Sequence, residues 1–260
     1  MKSYIGFAID TAKEAGKILM DNYGKMQKLE WKLRTNFKTE VDDICDKFIR
    51  QKIQESFPKH NIYSEEQDVV DKKSEFSWII DPLDGTIPYR YGISDHFSVC
   101  VALAREKIPF LGVVYAPKRK ELYTAEIGKG AFCNNIPIYA SEEENINHVI
   151  MGLDNGKETR NFKRASIAKY FNKLLTPKGI SCSLSYGCAS VPLCLVASGK
   201  LHAYLALSLE LWDMAAAVII NKEAGARVTT LKGKEWCIDD ASILVANTKL
   251  HSKLIKLINS

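Results

Sequence analysis

The sequence predicts a layered α/β protein built as two lobes. Three observations predict it. Apolar residues recur at helical spacing up to about Ser56. The pattern then shifts to short apolar runs of strand type between residues 61 and 133. Beyond the acidic stretch Glu142-Glu143-Glu144, strand and helix patterns alternate. At 260 residues, 46% hydrophobic and 26% charged, the chain can bury a sizeable core. That composition excludes the disordered, collagen-like and disulfide-scaffold classes.

The first helix covers residues 3–23. Its apolar face is Ile5, Ala8, Ile9, Ala12, Ala15 and Leu19, and Gly24 closes it. Residues 25–38 are polar and basic without a clear period, and read as a loop. A second helix spans 39–56 on Val41, Ile44, Cys45, Phe48, Ile49 and Ile53, and Thr39 and Asp42 have the spacing of a capped helix start. Strands follow at 61–64 and 77–80, then an antiparallel pair at 97–104 and 110–116, then 121–125. Gly128 and Gly130 punctuate a turn before 131–133. The acidic stretch marks a boundary near 140, between an N-terminal α+β lobe, 1–140, and a C-terminal α/β lobe, 141–260. The second lobe offers strands at 148–153, 181–185 and 202–207, and helices at 159–175, 189–199 and 212–224, the last ending at Gly225.

Charge and cysteine usage narrow the partners. Lys and Arg number 36 against 31 Asp and Glu, a formal net charge of +5. They are spread along the chain, with Lys118-Arg119-Lys120 the densest run, so no nucleic-acid patch is expected. No apolar stretch reaches the roughly 20 residues of a membrane span. Asp10 and Lys13 interrupt the N-terminal apolar residues too early for a signal peptide, which predicts a cytoplasmic protein. The seven cysteines form no CxxC pair and sit mostly in apolar runs, as small buried hydrophobes.

The most informative segment is Trp78-Ile-Ile-Asp81-Pro82-Leu83-Asp84-Gly85-Thr86. Pro82 biases Asp81 towards an extended conformation at the end of a buried strand. The turn then brings Asp84 nearby, and Gly85 lets backbone N–H groups approach an anion. Two carboxylates and an exposed carbonyl suit a hard cation such as Mg²⁺, with a phosphate bridging the metal and the turn. The same residues also fit a plain Asp-Pro turn followed by Asp-Gly. Glu65-Glu66 ends the preceding strand in the same manner, or forms a solvated acidic corner; Asp213 opens an apolar helix, where it also fits an N-cap. Other hydrolase signatures fail: there is no Asp-x-Asp on one strand, GxxxxGK[ST], HExxH or GxSxG.

Taken in order, Thr39-x-x-Asp42, Ser64-Glu65-Glu66, Asp81-Pro-Leu-Asp-Gly-Thr86, Gly128-Lys-Gly-Ala-Phe-Cys-Asn134 and Trp212-Asp213-x-Ala-Ala with Glu223-Ala-Gly225 resemble the inositol monophosphatase family. The resemblance spans nearly the whole chain. It implies a five-layer αβαβα sandwich, a homodimer, and a lithium-sensitive phosphatase using two or three Mg²⁺ ions on a small phosphate ester. It implies one ion held by Glu65, Asp81 and the Leu83 carbonyl, and a second held by Asp81, Asp84 and Asp213. Thr86 and Asp42 would orient and deprotonate the attacking water. Substrate contacts would come from Leu83, Asp84, Gly85, Thr86, Gly187, Cys188, Ala189 and Asp213, with the Gly85 and Thr86 N–H groups on the phosphate.

Some positions depart from the family pattern. Asn36 stands where an Asp is usual, Ile87-Pro88-Tyr89 replaces Thr-Asn-Phe, Cys188 replaces Ser or Thr, and Ala206 replaces a hydroxyl-reading Glu. The expectation is therefore a Mg²⁺-dependent monoesterase of sugar or polyol phosphates, with inositol monophosphate foremost and weak discrimination among small esters. A fructose bisphosphatase or dual-specificity enzyme comes next, then histidinol-phosphate and phosphoadenosine phosphate phosphatases. A non-catalytic binding protein on the same fold is the alternative of a different class.

Overall fold

The computed structural model describes residues 3–26, 28–33, 36–155 and 167–260. Helix α1 (Tyr4–Asn22) starts at Ser3, whose hydroxyl accepts from the Gly6 N–H, and α2 (Glu40–Ser56) starts at Thr39. Between them lies a correction to the expected loop. Strands β1 (Leu29–Leu33) and β2 (Asn36–Thr39) pair as an antiparallel hairpin. Leu29, Trp31 and Leu33 do alternate with Glu30 and Lys32, but burial in β1 does not follow that alternation, and the strand is short and set among polar and basic residues.

The next seven strands form one sheet in chain order. They are β3 (Asn61–Ser64), β4 (Phe76–Asp84), β5 (Ser98–Arg105), β6 (Ile108–Ala116), β7 (Glu121–Glu126), β8 (Ala131–Cys133) and β9 (Ile136–Pro137). Only β3 and β4 pair in parallel. Central strands such as β5 are buried on both faces, which explains their continuous apolar runs. A short helix, α3 (Thr86–Tyr91), follows β4 directly; Pro88 sits in its first turn, where the missing N–H has no helical partner to lose.

A second sheet carries β10 (Ile150–Asp154), β11 (Cys182–Leu184), β12 (Ala203–Ala206), β13 (Ala226–Thr229) and β14 (Ile243–Asn247), in the order β11-β10-β12-β14-β13. Strand β10 runs parallel to β11 and β12, and β14 antiparallel to β12 and β13. Four helices accompany it: α4 (Ala168–Leu174), α5 (Ser190–Ala197), α6 (Leu211–Glu223) and α7 (Thr248–Asn259). Strands β13 and β14 and helix α7 follow Gly225, where the sequence pattern assigns no element. The helix expected over 159–175 is seen as α4; the part over 159–166 lies outside the described residues.

These elements stack as the αβαβα sandwich. Helices α1 and α2 cover one face of the seven-stranded sheet around Trp78, Val99 and Leu103. Helices α5 and α6 lie between the two sheets and are buried almost all round, hence apolar on every side. Helices α4 and α7 cover the far face of the second sheet. Helix α6 lies directly on β6: a Cβ on Gly112 would meet the Ala216 carbonyl oxygen at 2.3 Å. That close approach sets where the N-terminus of α6, and Asp213 in its first turn, meets the edge of the first sheet.

Candidate active site

Strand β4 delivers the central carboxylates through a bulge. Its pairing with β5 runs to Asp81 opposite Cys100 and resumes at Asp84 opposite Ser98, so three residues of β4 advance against two of β5. Pro82 fits such a bulge because it has no N–H to give to a ladder. Asp81 Oδ1 accepts the Leu83 N–H at 2.9 Å, fixing the turn. Gly85, at φ 88°, must be glycine: a Cβ there would meet the His96 carbonyl oxygen at 2.5 Å.

Two further carboxylates converge on Asp81. Ser64 pairs in parallel with Ile80 at the end of their ladder, so Glu65 follows β3 beside Asp81, which is still paired with β5. From the other direction, Asp213 sits at the third position of α6, where its Oδ2 accepts the Glu210 N–H at 2.7 Å. The N-cap is Glu210 and not Asp213. Ligand oxygens of Glu65, Asp81 and Asp213 lie within 4.8 Å of one another, the one such group among the described residues. An all-oxygen donor set of three carboxylates fits a hard divalent cation such as Mg²⁺.

Asp42 and Thr86 meet beside this cluster. Asp42 occupies the third position of α2 and its Oδ2 accepts from the Thr39 N–H (2.8 Å) and hydroxyl (2.6 Å). Its Oδ1 faces the Thr86 hydroxyl at 3.5 Å, which also lies 3.3 Å from the Leu83 carbonyl oxygen. Burial pushes the Asp42 carboxyl up to about 6, against the hydrogen bonds from Thr39 that favour its charged form.

Asp84 is turned elsewhere. Its Oδ2 accepts from the Ser190 N–H at 2.7 Å, the Ala189 N–H at 3.0 Å and the Ser190 hydroxyl. It therefore ties β4 to the start of α5 and is not a member of the three-carboxylate group. The Gly187-Cys188-Ala189 segment lies between this anchor and a second one. Asp154, at the end of β10, accepts from the Ser185 hydroxyl at 2.7 Å, the Tyr186 N–H at 3.2 Å and the Gly187 N–H at 3.4 Å.

Several of these groups border one cleft of about 820 Å³, lined by Asn36, Glu65, Asp84, Asp154, Gly187, Cys188, Ala189 and Asp213 among others. Lys32 and Asp154 line the cleft and have no role in the sequence reading. Lys32, on the hairpin, bonds Glu65 and Glu66. Asp154 closes a strand just before an Asn-Gly pair, a turn signal that would have flagged it. Glu66 is pushed up by burial and by the neighbouring Glu65 carboxylate. Ala206 corrects an expectation: it is fully buried in the apolar layer between the sheets and does not line the cleft. A glutamate there would bury a charge instead of reading a hydroxyl.

The αβαβα layers and the three-carboxylate group fit the class of sugar-phosphate phosphatases. The chain belongs to the inositol monophosphatase family, whose model matches residues 1–260. It is 32% identical to a fructose-1,6-bisphosphatase/inositol-1-monophosphatase of Aquifex aeolicus, over 99% of this chain and 96% of the relative. It is 30% identical to the Nus factor SuhB of Haemophilus influenzae, over 99% and 96%. Among solved structures, an IMPase of Thermotoga maritima superposes with a TM-score of 0.86 at 29% identity, covering 98% of this chain and 96% of that one. Enzymes of this family depend in general on Mg²⁺.

Proposed function

We propose that this chain hydrolyses small sugar or polyol phosphate monoesters, inositol monophosphate foremost, by attack of a water molecule on phosphorus. The observation that carries this reading is the convergence of Glu65, Asp81 and Asp213, from three separate elements, beside the Asp42–Thr86 pair. Glu65, Asp81, Asp213 and the Leu83 carbonyl would hold Mg²⁺, with Asp84 contributing to a second site. Bound there, Mg²⁺ supplies Lewis-acid stabilisation of charge on the phosphoryl and leaving oxygens.

The chain's own groups do the rest. Asp42 takes the proton of the attacking water through the Thr86 hydroxyl; its raised proton affinity suits a base working near neutral pH. The Gly85 and Thr86 N–H groups hold phosphate oxygens, donors aimed where charge accumulates. Gly187, Cys188 and Ala189 line the leaving-group side. The Aquifex relative's name supports fructose bisphosphate as a second substrate, and family membership supports lithium inhibition, a homodimer and a cytoplasmic setting.

A second reading draws on the Haemophilus relative, named a Nus factor: a role as a binding protein on this fold. The retained carboxylates favour catalysis, because clustered like charges are costly without a cation to serve. Phosphate release from inositol monophosphate, fructose bisphosphate, histidinol phosphate and phosphoadenosine phosphate, with and without Mg²⁺, tests the choice. Mg²⁺-dependent release from the sugar or polyol esters is expected. No release from any ester would overturn the hydrolase reading in favour of the binding protein.

A further inference from the structure

We propose that Asp154 determines specificity on the leaving-group side of the cleft, where with Ser185 it forms an acceptor patch that selects leaving groups bearing hydroxyls and disfavours those bearing a second phosphate. The assignment rests on the phosphomonoesterase reading and deepens it by naming the substrate class.

The argument begins with place. Asp154 is the last residue of β10, and it lines the same cleft as Asp84 and Asp213. It is nearly buried, at 7% exposure, yet no Lys or Arg among the described residues pairs with it. Instead four neutral donors hold its carboxylate: the Ser185 hydroxyl, the Tyr186 and Gly187 N–H groups, and the Tyr204 hydroxyl at 3.1 Å. Burial pushes the Asp154 carboxyl up, while these four donors favour its charged form. With only neutral donors around it among the described residues, the carboxylate favours a ligand that can donate.

Proton direction follows from the chemistry of those donors. An ionised carboxylate only accepts, so the single hydroxyl protons of Ser185 and Tyr204 are committed to Asp154. Ser185, which is exposed to the cleft, therefore presents lone pairs and no proton. Asp154 and Ser185 together offer acceptors only. A sugar or polyol hydroxyl, which can donate, matches such a patch. A phosphate group, anionic and rich in acceptors, meets both like charge and unmatched lone pairs, the repulsive element that specificity requires.

The patch is also joined to the reaction centre by a short ribbon. Asp154 grips residues 185–187, and Asp84 grips the Ala189 and Ser190 N–H groups. The backbone between the two carboxylates is thus fixed at both ends, so the leaving group is read at a set distance from β4. Preorganised polar contacts of this kind discriminate strongly, because a ligand lacking the matching group leaves them unpaired.

The test compares three esters in the wild-type enzyme, Asp154→Asn and Ser185→Ala. Inositol monophosphate carries leaving-group hydroxyls, p-nitrophenyl phosphate carries none, and fructose 1,6-bisphosphate carries a second phosphate. Asn keeps one oxygen for the Tyr186 and Gly187 N–H groups, and Ser185→Ala leaves Asp154 and its backbone partners in place. For Asp154→Asn we expect KM for inositol monophosphate to rise about tenfold, the loss of one charge-assisted hydrogen bond. The constants for p-nitrophenyl phosphate should stay within about twofold, and the preference for the bisphosphate over the monophosphate should increase. Ser185→Ala should raise KM for inositol monophosphate alone. Equal changes for all three esters, or no change for inositol monophosphate in either variant, would overturn the assignment while leaving the hydrolase reading intact. Absence of Mg²⁺-dependent turnover of any ester by the wild-type protein would overturn both.

Discussion

The ammonium of Lys32 lies 3.2 Å from Glu65 Oε1 and 2.7 Å from Glu66 Oε1, so a side chain from the β1–β2 hairpin neutralises one of the three converging carboxylates. Burial opposes the charge on Lys32, but the two carboxylates outweigh it and hold the ammonium above its usual range. The hairpin is thereby fastened across the edge of the cleft through a group that a divalent cation would also claim.

Lys32→Met follows from that competition. Without Mg²⁺ the variant should be less stable by about 1–2 kcal/mol, since two half-buried carboxylates lose the cation they share. With Mg²⁺ the loss should shrink, because the cation no longer displaces an ammonium. Thermal melts with and without Mg²⁺ measure both quantities. A variant whose Mg²⁺-induced rise in melting temperature is no larger than that of the wild type would refute the competition.

Thr86→Ala should lower kcat about a hundredfold and change KM little. The hydroxyl lies between Asp42 and the Leu83 carbonyl, whereas the Gly85 and Thr86 N–H groups survive the substitution. Thr86→Ser should restore most of the rate. Steady-state kinetics decide it: a large rise in KM at unchanged kcat would show that the hydroxyl only binds substrate.

The parts of the site legible in the sequence are those whose geometry is made by near neighbours. Asp81, Pro82, Asp84 and Gly85 announce a bulge and a tight turn because backbone chemistry fixes both within a few residues. Thr39 and Asp42 announce a helix start for the same reason. What Asp84 does is not local: its donors come from residues 189 and 190. Lys32 reaches Glu65 from a short hairpin that only its contact across the cleft edge relates to the site, and the grip of Asp154 on Tyr204 crosses between strands. Ala206 shows the reverse error. Its position before Asp213 matched a family pattern, but β12 buries its side chain in the layer between the sheets.

Acid should weaken the fold through His251. This residue of α7 is 1% exposed, with Nε2 2.8 Å from the Thr229 hydroxyl, and burial, helped by Arg227, lowers its pKa from 6.5 to about 4. Above pH 6.5 the ring is neutral in both folded and unfolded chains, so its contribution is fully present. Between pH 6.5 and about 4 the unfolded chain takes up a proton that the folded chain refuses, and stability falls as pH falls. The full loss is roughly 2–4 kcal/mol. Urea unfolding of the wild type and His251→Gln at pH 7.5 and 5 should show a smaller pH dependence in the variant. Equal dependence in the two proteins would mean that His251 does not titrate in this window.

The last prediction concerns the hydroxyl pair behind Asp84. Ser98 and Ser190 are fully buried, and their oxygens lie 2.6 Å apart. The Ser190 proton is committed to Asp84, because a carboxylate only accepts, so Ser98 must donate to Ser190. The relay therefore has a direction, Ser98 to Ser190 to Asp84, and its members should be unequal. Ser190→Ala strips Asp84 of a donor and leaves the Ser98 hydroxyl only the Cys100 sulfur, 3.6 Å away; it should cost about 1–3 kcal/mol of stability. Ser98→Ala leaves Ser190 donating to Asp84 and should cost less. With Ser190→Ala already in place, Ser98→Ala should cost almost nothing more, a coupling of about 1 kcal/mol in a double-mutant cycle measured by urea unfolding. Mg²⁺ binding followed by calorimetry should weaken in Ser190→Ala and change less in Ser98→Ala, since only the former alters what holds Asp84 Oδ2. Strictly additive stability losses, or a larger loss from Ser98→Ala than from Ser190→Ala, would show that the two hydroxyls fill space in the core without ordering the carboxylate.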